Sequence, residues 1–229
     1  MSAAGRSRHS PAFRWGLLLL LLTVAGGLGY ALLTLPDQAV GLSEQVSANM
    51  ATSGVQNPVT AVLINFRGYD TLLEMAVLLV ALLGVWSLGS AEVHRRIDPQ
   101  PVLSLLVGGL APLMILMAGY LLWVGANAPG GAFQAGSVLA AAGILLLLSS
   151  KRFPVRLMGW PLRIGLLLGL GTFTAVGMTL LFVSGGFLQY PSNLAGALIL
   201  FIEAAATLSI GVTLAALFLG GRPQAGPYR

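Results

Sequence analysis

The chain has 229 residues, no cysteine, 56% hydrophobic residues and 8% charged residues, with a formal net charge of +5. Soluble globular domains carry about 25% charged residues, so this composition excludes a soluble enzyme domain and a disordered protein. Without cysteine, the chain can form no disulfide, iron–sulfur cluster or cysteine nucleophile. We expect no catalytic residues, no metal site and no cofactor. Long uncharged apolar runs instead predict an all-α integral membrane protein.

Six segments are long and apolar enough to cross a bilayer, which takes about 20 residues per helix. They are residues 13–35, 71–91, 102–123, 133–149, 164–184 and 194–219. The first follows several arginines, as a signal peptide would. Residues 15–35 nevertheless contain 21 residues without a charge, whereas the apolar region of a signal peptide has about 7–15. The pattern therefore favours a retained membrane anchor.

The positions of the basic residues predict the orientation of the chain. With the N-terminus inside, the cytoplasmic segments hold 11 of the 12 Lys and Arg residues, and Arg67 alone lies outside. Cytoplasmic loops of membrane proteins carry this excess of positive charge. We therefore predict that both termini are cytoplasmic. The same orientation explains the net positive charge, so we expect no nucleic acid as a partner.

Prolines and polar residues indicate where the chain divides. The polar segment 92–101 contains Pro99 and Pro101, which interrupt a continuous helix, and it separates a predicted two-span unit, 1–96, from a four-span unit, 97–229. The loop 36–57 is polar and poor in aromatic residues, so we expect it to run along the surface.

The Asn57-Pro58 pair is typical of a helix start, with asparagine as the N-cap and proline at the first helical position. A single helix over 58–91 would be about 50 Å long, too long for one upright span. We therefore expect a short helix over 58–66, a break over 67–70, and then the second span.

Glu203 is the ionisable residue placed deepest in a predicted span, roughly 14 Å from the outer end of the last helix. Small and weakly polar residues share its helix face, so this face should pack against protein. Glu203 is either a relay site for protons or cations, or a protonated acid that hydrogen-bonds a neighbouring helix.

The segment Asn65-Phe-Arg-Gly-Tyr-Asp-Thr-Leu-Leu-Glu74 holds a second group of charges. Asp70 and Glu74 are four residues apart on one helix face, and Arg67 could pair with either. Thr71-Leu-Leu-Glu74 also has the form of a capping box. Glu74 is therefore either a helix cap or the first acid of an ion path in which Arg67 tunes its charge.

A glycine-rich turn joins the third and fourth spans. It lacks the strand and the lysine of a phosphate-binding loop, and the choice of residues predicts a tight turn followed by close helix packing. We expect a structural role for its main residues, which are Asn127, Pro129, Gly130, Gly131, Phe133 and Gly136.

Two of these segments resemble known families. The 65–74 segment, followed by an apolar helix, resembles the MbhE subunit of membrane-bound hydrogenases and the C-terminal part of MrpA, with Asn65 at the place of an acid. Residues 112–143, centred on the glycine-rich turn, resemble the MrpB (MnhB) subunit, called MbhF in the hydrogenases. In this turn Ala126 stands where that family often has a histidine.

The resemblance implies a fused small subunit of a multisubunit Mrp-type antiporter complex that exchanges Na+ for H+ in the cell membrane. Its partners would be large antiporter-like subunits, small membrane subunits and the lipid bilayer. Arg67, Asp70, Glu74 and Glu203 would be the candidates for ion or proton translocation. Two alternatives remain open: a subunit of a membrane-bound hydrogenase or a related redox-driven pump, and a purely structural scaffold. A stand-alone transporter is disfavoured because the six spans show no internal repeat.

Overall fold

A computed structural model describes residues 11–35, 41–89, 101–149 and 159–220. Within these ranges the chain is helical and contains no strand. Six helices there are long and apolar enough to span a membrane, which confirms the predicted all-α membrane fold. They are α1 (Pro11–Leu33), α4 (Gly68–Ser87), α5 (Pro101–Val124), α6 (Ala132–Ser149), α7 (Trp160–Ser184) and α8 (Ala195–Phe218). The orientation of the termini stays a prediction.

The chain divides into two compact units, Met1–Ser43 and Glu44–Arg229. In the first unit, α1 is a single helix with exposed side chains along most of its length, and the hydroxyl of Thr23 donates to the carbonyl of Leu19 in the same helix. The predicted boundary between 1–96 and 97–229 lies outside the described residues, so this division stays a prediction.

In the second unit, α8 is the central helix and contacts α4, α5, α6 and α7. Half of its 24 residues are buried, and most of these are alanine, glycine, serine or threonine. Small side chains let helix backbones approach closely in a membrane. A Cβ atom at Gly136 of α6 would lie 2.8 Å from Ile210 of α8, and one at Gly169 of α7 would lie 2.7 Å from Ser209. Both glycines are therefore needed for these close approaches.

A helical segment precedes α4, as predicted. The side chain of Asn57 accepts a hydrogen bond from the N–H of Val59 at 3.0 Å, and Pro58 is the first helical residue. One helical turn, α3 (Pro58–Thr60), continues as a π-helix over Ala61–Phe66. The break before α4 is narrower than expected, because only Arg67 leaves the helical conformation and Gly68 already begins α4.

Hydroxyl groups from elsewhere satisfy the carbonyls that the break leaves free. Thr71 donates to the carbonyl of Leu63 at 2.6 Å, and Tyr190 donates to that of Ile64 at 3.3 Å. The expected capping box is therefore wrong, because Thr71 lies inside α4 and bonds backward across the break. An unsatisfied backbone carbonyl is costly in a membrane, so these two hydroxyls stabilise the irregular backbone.

The segment before Asn57 also differs from expectation. It contains a short helix, α2 (Ser43–Asn49), and a 3-10 turn (Met50–Thr52), and it ends with Ser53, Val55 and Asn57 buried. The amide of Asn65 donates to the carbonyl of Ser53 at 3.0 Å. The predicted surface course holds for residues 41–52, most of which are exposed, whereas Ser53 and Asn57 place their polar groups inside the fold. Residues 36–40 of the predicted loop lie outside the described residues.

We predict that Thr71→Val destabilises the protein by about 1–3 kcal/mol, because it leaves the carbonyl of Leu63 without its donor while preserving side-chain shape. The measurement is the free energy of unfolding in detergent. The control is Thr179→Val, whose exposed hydroxyl bonds only to Ala175 in its own helix. Equal effects of the two substitutions would contradict the assigned role of Thr71.

Candidate functional site

Glu203 lies inside the protein rather than toward lipid. It is the ninth residue of α8, about 12 Å along the helix, and its exposed fraction is 3%. The predicted protein-facing side of α8 is confirmed, because Ile199, Ala206 and Ile210 are buried beside it. Burying a carboxyl group in this way is costly unless its oxygens find partners.

Only one oxygen of the Glu203 carboxyl group has a protein partner in the described structure. The backbone N–H of Ala132, the first residue of α6, donates to this carboxyl group. The first N–H groups of a helix have no partner within the helix, and the positive end of the helix dipole favours a carboxylate there. The second oxygen, Oε2, is buried and has no hydrogen-bond partner among the described residues. This oxygen is therefore free to hold a proton or another ligand.

Gly131 makes room for this contact. Its φ is +105°, a conformation that residues with side chains rarely adopt. A Cβ atom there would lie 2.9 Å from Oε1 of Glu203. The glycine-rich turn thus does more than reverse the chain, because it brings the start of α6 onto the carboxyl group of α8.

The same turn is bonded to the segment that begins α3. The amide of Asn57 donates to the carbonyls of Gly125 and Ala128, at 3.2 and 2.8 Å, and the hydroxyl of Thr60 donates to the carbonyl of Gly125 at 2.6 Å. Two further backbone bonds run from residues 56 and 57 to the carbonyl of Ala126. The start of α3 and the turn after α5 are therefore joined directly by five hydrogen bonds.

The second group of charges lies on an open groove of about 680 Å3. Arg67 pairs with Asp70 at 2.5 Å, and both side chains are substantially exposed. Glu74 is exposed one turn further along α4 and has no ion pair or hydrogen bond among the described residues. The groove is lined by Arg67, Asp70, Leu73, Glu74, Val77, Leu78, Phe133, Ile210 and Leu214.

The structure thus separates the four predicted ionisable residues into two places. Arg67, Asp70 and Glu74 line the groove, whereas Glu203 does not. The start of α6 touches both, because Ala132 bonds to Glu203 and Phe133 lines the groove. Within the described ranges, no cluster of three His, Asp or Glu residues could hold a metal ion.

The remaining loop residues have less direct roles. The backbone N–H of Asn127 donates to the carbonyl of Val124 and that of Gly131 to Leu121, both at 2.9 Å, which closes the turn after α5. Pro129 and Gly130 occupy the same turn, where a Cβ atom at Gly130 would lie 2.5 Å from the carbonyl oxygen of Leu121.

Sequence reasoning missed several residues that build this site. Asn57 was identified only as a cap, and Thr60, Tyr190 and the N–H of Ala132 were not identified. Burial raises the pKa of the Tyr190 phenol above its ordinary value, so this group stays a neutral donor to the carbonyl of Ile64. No local pattern indicates these residues, because their partners lie far away along the chain.

We predict that Gly131→Ala destabilises the protein by more than about 1 kcal/mol, from backbone strain and from the contact with Glu203. The control is Gly185→Ala, since Gly185 has a similar φ of +80° and open space around its Cβ position. Free energies of unfolding should show a larger loss at Gly131, and Glu203→Ala should reduce that loss in a double-mutant cycle. Equal losses at both glycines would show that the carboxyl contact is unimportant.

Two family matches cover most of the chain. Residues 102–220 match the domain related to the MnhB subunit of Na+/H+ antiporters, and residues 17–101 match MbhE, a family of MBH subunits. The first match covers more than half of the 229 residues. The two occur in the order that the sequence motifs predicted.

Similar proteins and structures agree with these matches. The chain is 28% identical over 207 residues to the probable A/B subunit of a K+/H+ antiporter from Rhizobium meliloti (strain 1021), covering 76% of this chain and 20% of that protein. Its fold is similar to a chain of the Mrp complex from Dietzia sp. DQ12-45-1b, with a TM-score of 0.62, 24% identity, and coverage of 99% of this chain and 27% of that one.

A chain of the membrane-bound sulfane sulfur reductase, an archaeal respiratory membrane complex, also has this fold. The TM-score is 0.66 at 23% identity, and the match covers 90% of this chain and 97% of that one. The chain therefore spans about a fifth of the Rhizobium protein, whereas it covers almost all of the respiratory chain. With six apolar helices and the match over residues 102–220, this multi-pass protein of the cell membrane belongs to the family of domains related to the MnhB subunit of Na+/H+ antiporters.

Proposed function

We propose that the chain is a membrane subunit of a multisubunit Mrp-type cation/proton antiporter and supplies protonatable groups to its ion path. The observation that carries this proposal is Glu203, an acid buried in a membrane helix with one oxygen unpartnered among the described residues. Ionisable residues inside membrane helices are costly and mark ion or proton paths. The family match supports the setting, and the chain supplies no catalytic chemistry of its own.

Glu203 suits proton exchange better than tight cation binding. A tightly bound hard cation takes several oxygen ligands, and no group of three His, Asp or Glu side chains that could hold one lies among the described residues. The nearby hydroxyl of Thr207 already donates to the carbonyl of Glu203 in its own helix. We propose that the Oε2 oxygen takes up and releases a proton.

Asp70 and Glu74, which lie apart from Glu203, would form a second part of the proposed ion path. Both line the open groove, from which ions such as Na+ could reach them. The ion pair with Arg67 neutralises Asp70, whereas Glu74 has no ion pair among the described residues. The proposed partners are large antiporter-like subunits and small membrane subunits.

We predict that Glu74→Gln and Glu203→Gln each reduce antiport below about a tenth of the unmodified rate, which adds about 1.4 kcal/mol or more to the barrier. Each amide keeps the shape of the acid but cannot exchange a proton. The measurement is proton movement in everted vesicles containing the complete complex, driven by added Na+ or K+.

The matched control is Glu44→Gln, the same change at an exposed position of α2, which should leave transport unchanged. The complement of subunits is compared in every variant. If Glu74→Gln or Glu203→Gln dissolves the complex, the acid is structural. If transport persists in an intact complex, the proposed role of that acid is wrong.

A redox-driven pump is the second candidate. The observation that favours it is the similarity to nearly the whole of one chain in the archaeal respiratory complex. Complexes of this kind would share the membrane fold but contain additional redox subunits.

We predict that the tagged chain, purified from native membranes in mild detergent, brings with it large antiporter-like subunits and small membrane proteins without redox subunits. Mass spectrometry identifies the components. Nickel or iron–sulfur proteins in the same complex would support the redox-driven pump. Recovery of the chain alone would contradict both.

A further inference from the structure

The open face of α4 presents an unusual combination of one free acid and an apolar surface. Glu74 is the seventh residue of α4, about 9 Å along a helix that is about 30 Å long. A hydrocarbon core has about this thickness, so a core centred on α4 would contain Glu74. Leu73 and Val77, on either side of Glu74, are 62% and 66% exposed.

The described residues leave the charge of Glu74 uncompensated. Arg67, the one basic residue that lines the groove among the described residues, is already paired with Asp70. Lipid tails cannot solvate a carboxylate, and acids in membrane helices almost always face protein or a water-filled cavity. Glu74 therefore needs protein or water against it in the membrane, and the exposed apolar side chains of Leu73 and Val77 beside it favour protein.

The protein segment that covers the groove should be a helix with a positively charged side chain. Inside the hydrocarbon, an added segment has to satisfy all of its backbone groups, which a helix does alone. The apolar floor of the groove, from Leu78, Phe133, Ile210 and Leu214, suits apolar helix side chains. Charge complementarity to Glu74 requires a basic side chain on this helix.

We propose that this groove is the docking site of a transmembrane helix from another subunit, which carries a Lys or Arg that pairs with Glu74. The inference rests on the proposed membership of a multisubunit complex and names the surface and the chemistry of one partner.

The described helices of this chain do not offer such a partner. α1 has one basic residue, Arg14, at its fourth position and no charge over 15–35. With the N-terminus in the cytoplasm, as the basic residues predict, Arg14 lies on the opposite side of the membrane from Glu74. In a second copy, the basic residues described from 41 onward are Arg67, which is paired with Asp70, and Arg163, which lies in the first turn of α7 over the ring of Trp160. Neither lies at the depth of Glu74 with a free charge.

The absence of cysteine makes a direct test possible. Leu73→Cys and Val77→Cys are introduced separately into the tagged chain, expressed in the native host, and treated in membranes with a short thiol-reactive photo-cross-linker. The matched control is Leu167→Cys on α7, which is 55% exposed and does not line the groove. Mass spectrometry identifies the cross-linked peptides.

We expect both groove positions to cross-link to one helix of another subunit, with a Lys or Arg within one helical turn of the attachment site. The control position should not reach that helix. Glu74→Lys should reduce the cross-link to the control level, and replacing the partner's basic residue by Glu should restore it.

Several outcomes would overturn the inference. These are a cross-link to α1, to a second copy or only to lipid, a partner helix without a basic residue, or no rescue by the charge exchange.

The purified complex distinguishes failure of the docking inference from failure of the proposed function. If no other subunit accompanies the chain, the proposed function fails. If the complex is complete but its contact at the groove lacks a basic residue, only the docking inference fails.

Discussion

The hydrogen bond from the N–H of Ala132 to the carboxyl group of Glu203 joins the parts on which the site depends. It connects the start of α6 to the centre of α8, the helix that contacts four other spans. Because Gly131 precedes Ala132, the backbone can approach the carboxyl group of Glu203 without a clashing side chain. The glycine-rich turn before α6 is also bonded to Asn57 and Thr60. The position of Glu203 therefore depends on the segment that begins α3 as well as on the turn.

The irregular backbone near Arg67 shows how the membrane environment limits the fold. A π-helix and a break would leave carbonyl groups without partners in a medium that cannot hydrogen-bond them. Thr71 and Tyr190 supply two hydroxyl donors from different elements. The break is therefore tolerated inside a helical protein and places Arg67 and Asp70 at the start of α4, with Glu74 one turn further along the helix.

The two candidate places differ in their requirements. Glu203 is enclosed by the protein, and its carboxyl group bonds to the start of α6. Glu74 is open, and its charge must be balanced by something outside the described residues. A protein with one enclosed acid and one exposed acid is well suited to work inside a larger assembly, where partner helices complete the exposed part.

The sequence by itself determined the elements. Long uncharged runs indicated all six spans to within a few residues, because a membrane helix needs only length and apolar composition. The helix start at Asn57-Pro58 was also local, since the cap and its N–H donor are two residues apart. Local patterns were less informative near Thr71, where the spacing to Glu74 suggested a cap but the residue lies inside a helix that already began at Gly68.

Only the tertiary structure decided which side chains meet. Arg67 could have paired with Asp70 or Glu74, and the backbone conformation at the break gave it to Asp70. Glu203 and Ala132 are separated by 71 positions in the sequence, as are Asn57 and Ala128. Contacts over such distances depend on how the helices pack around α8, and side-chain periodicity along one helix carries no information about the residue opposite.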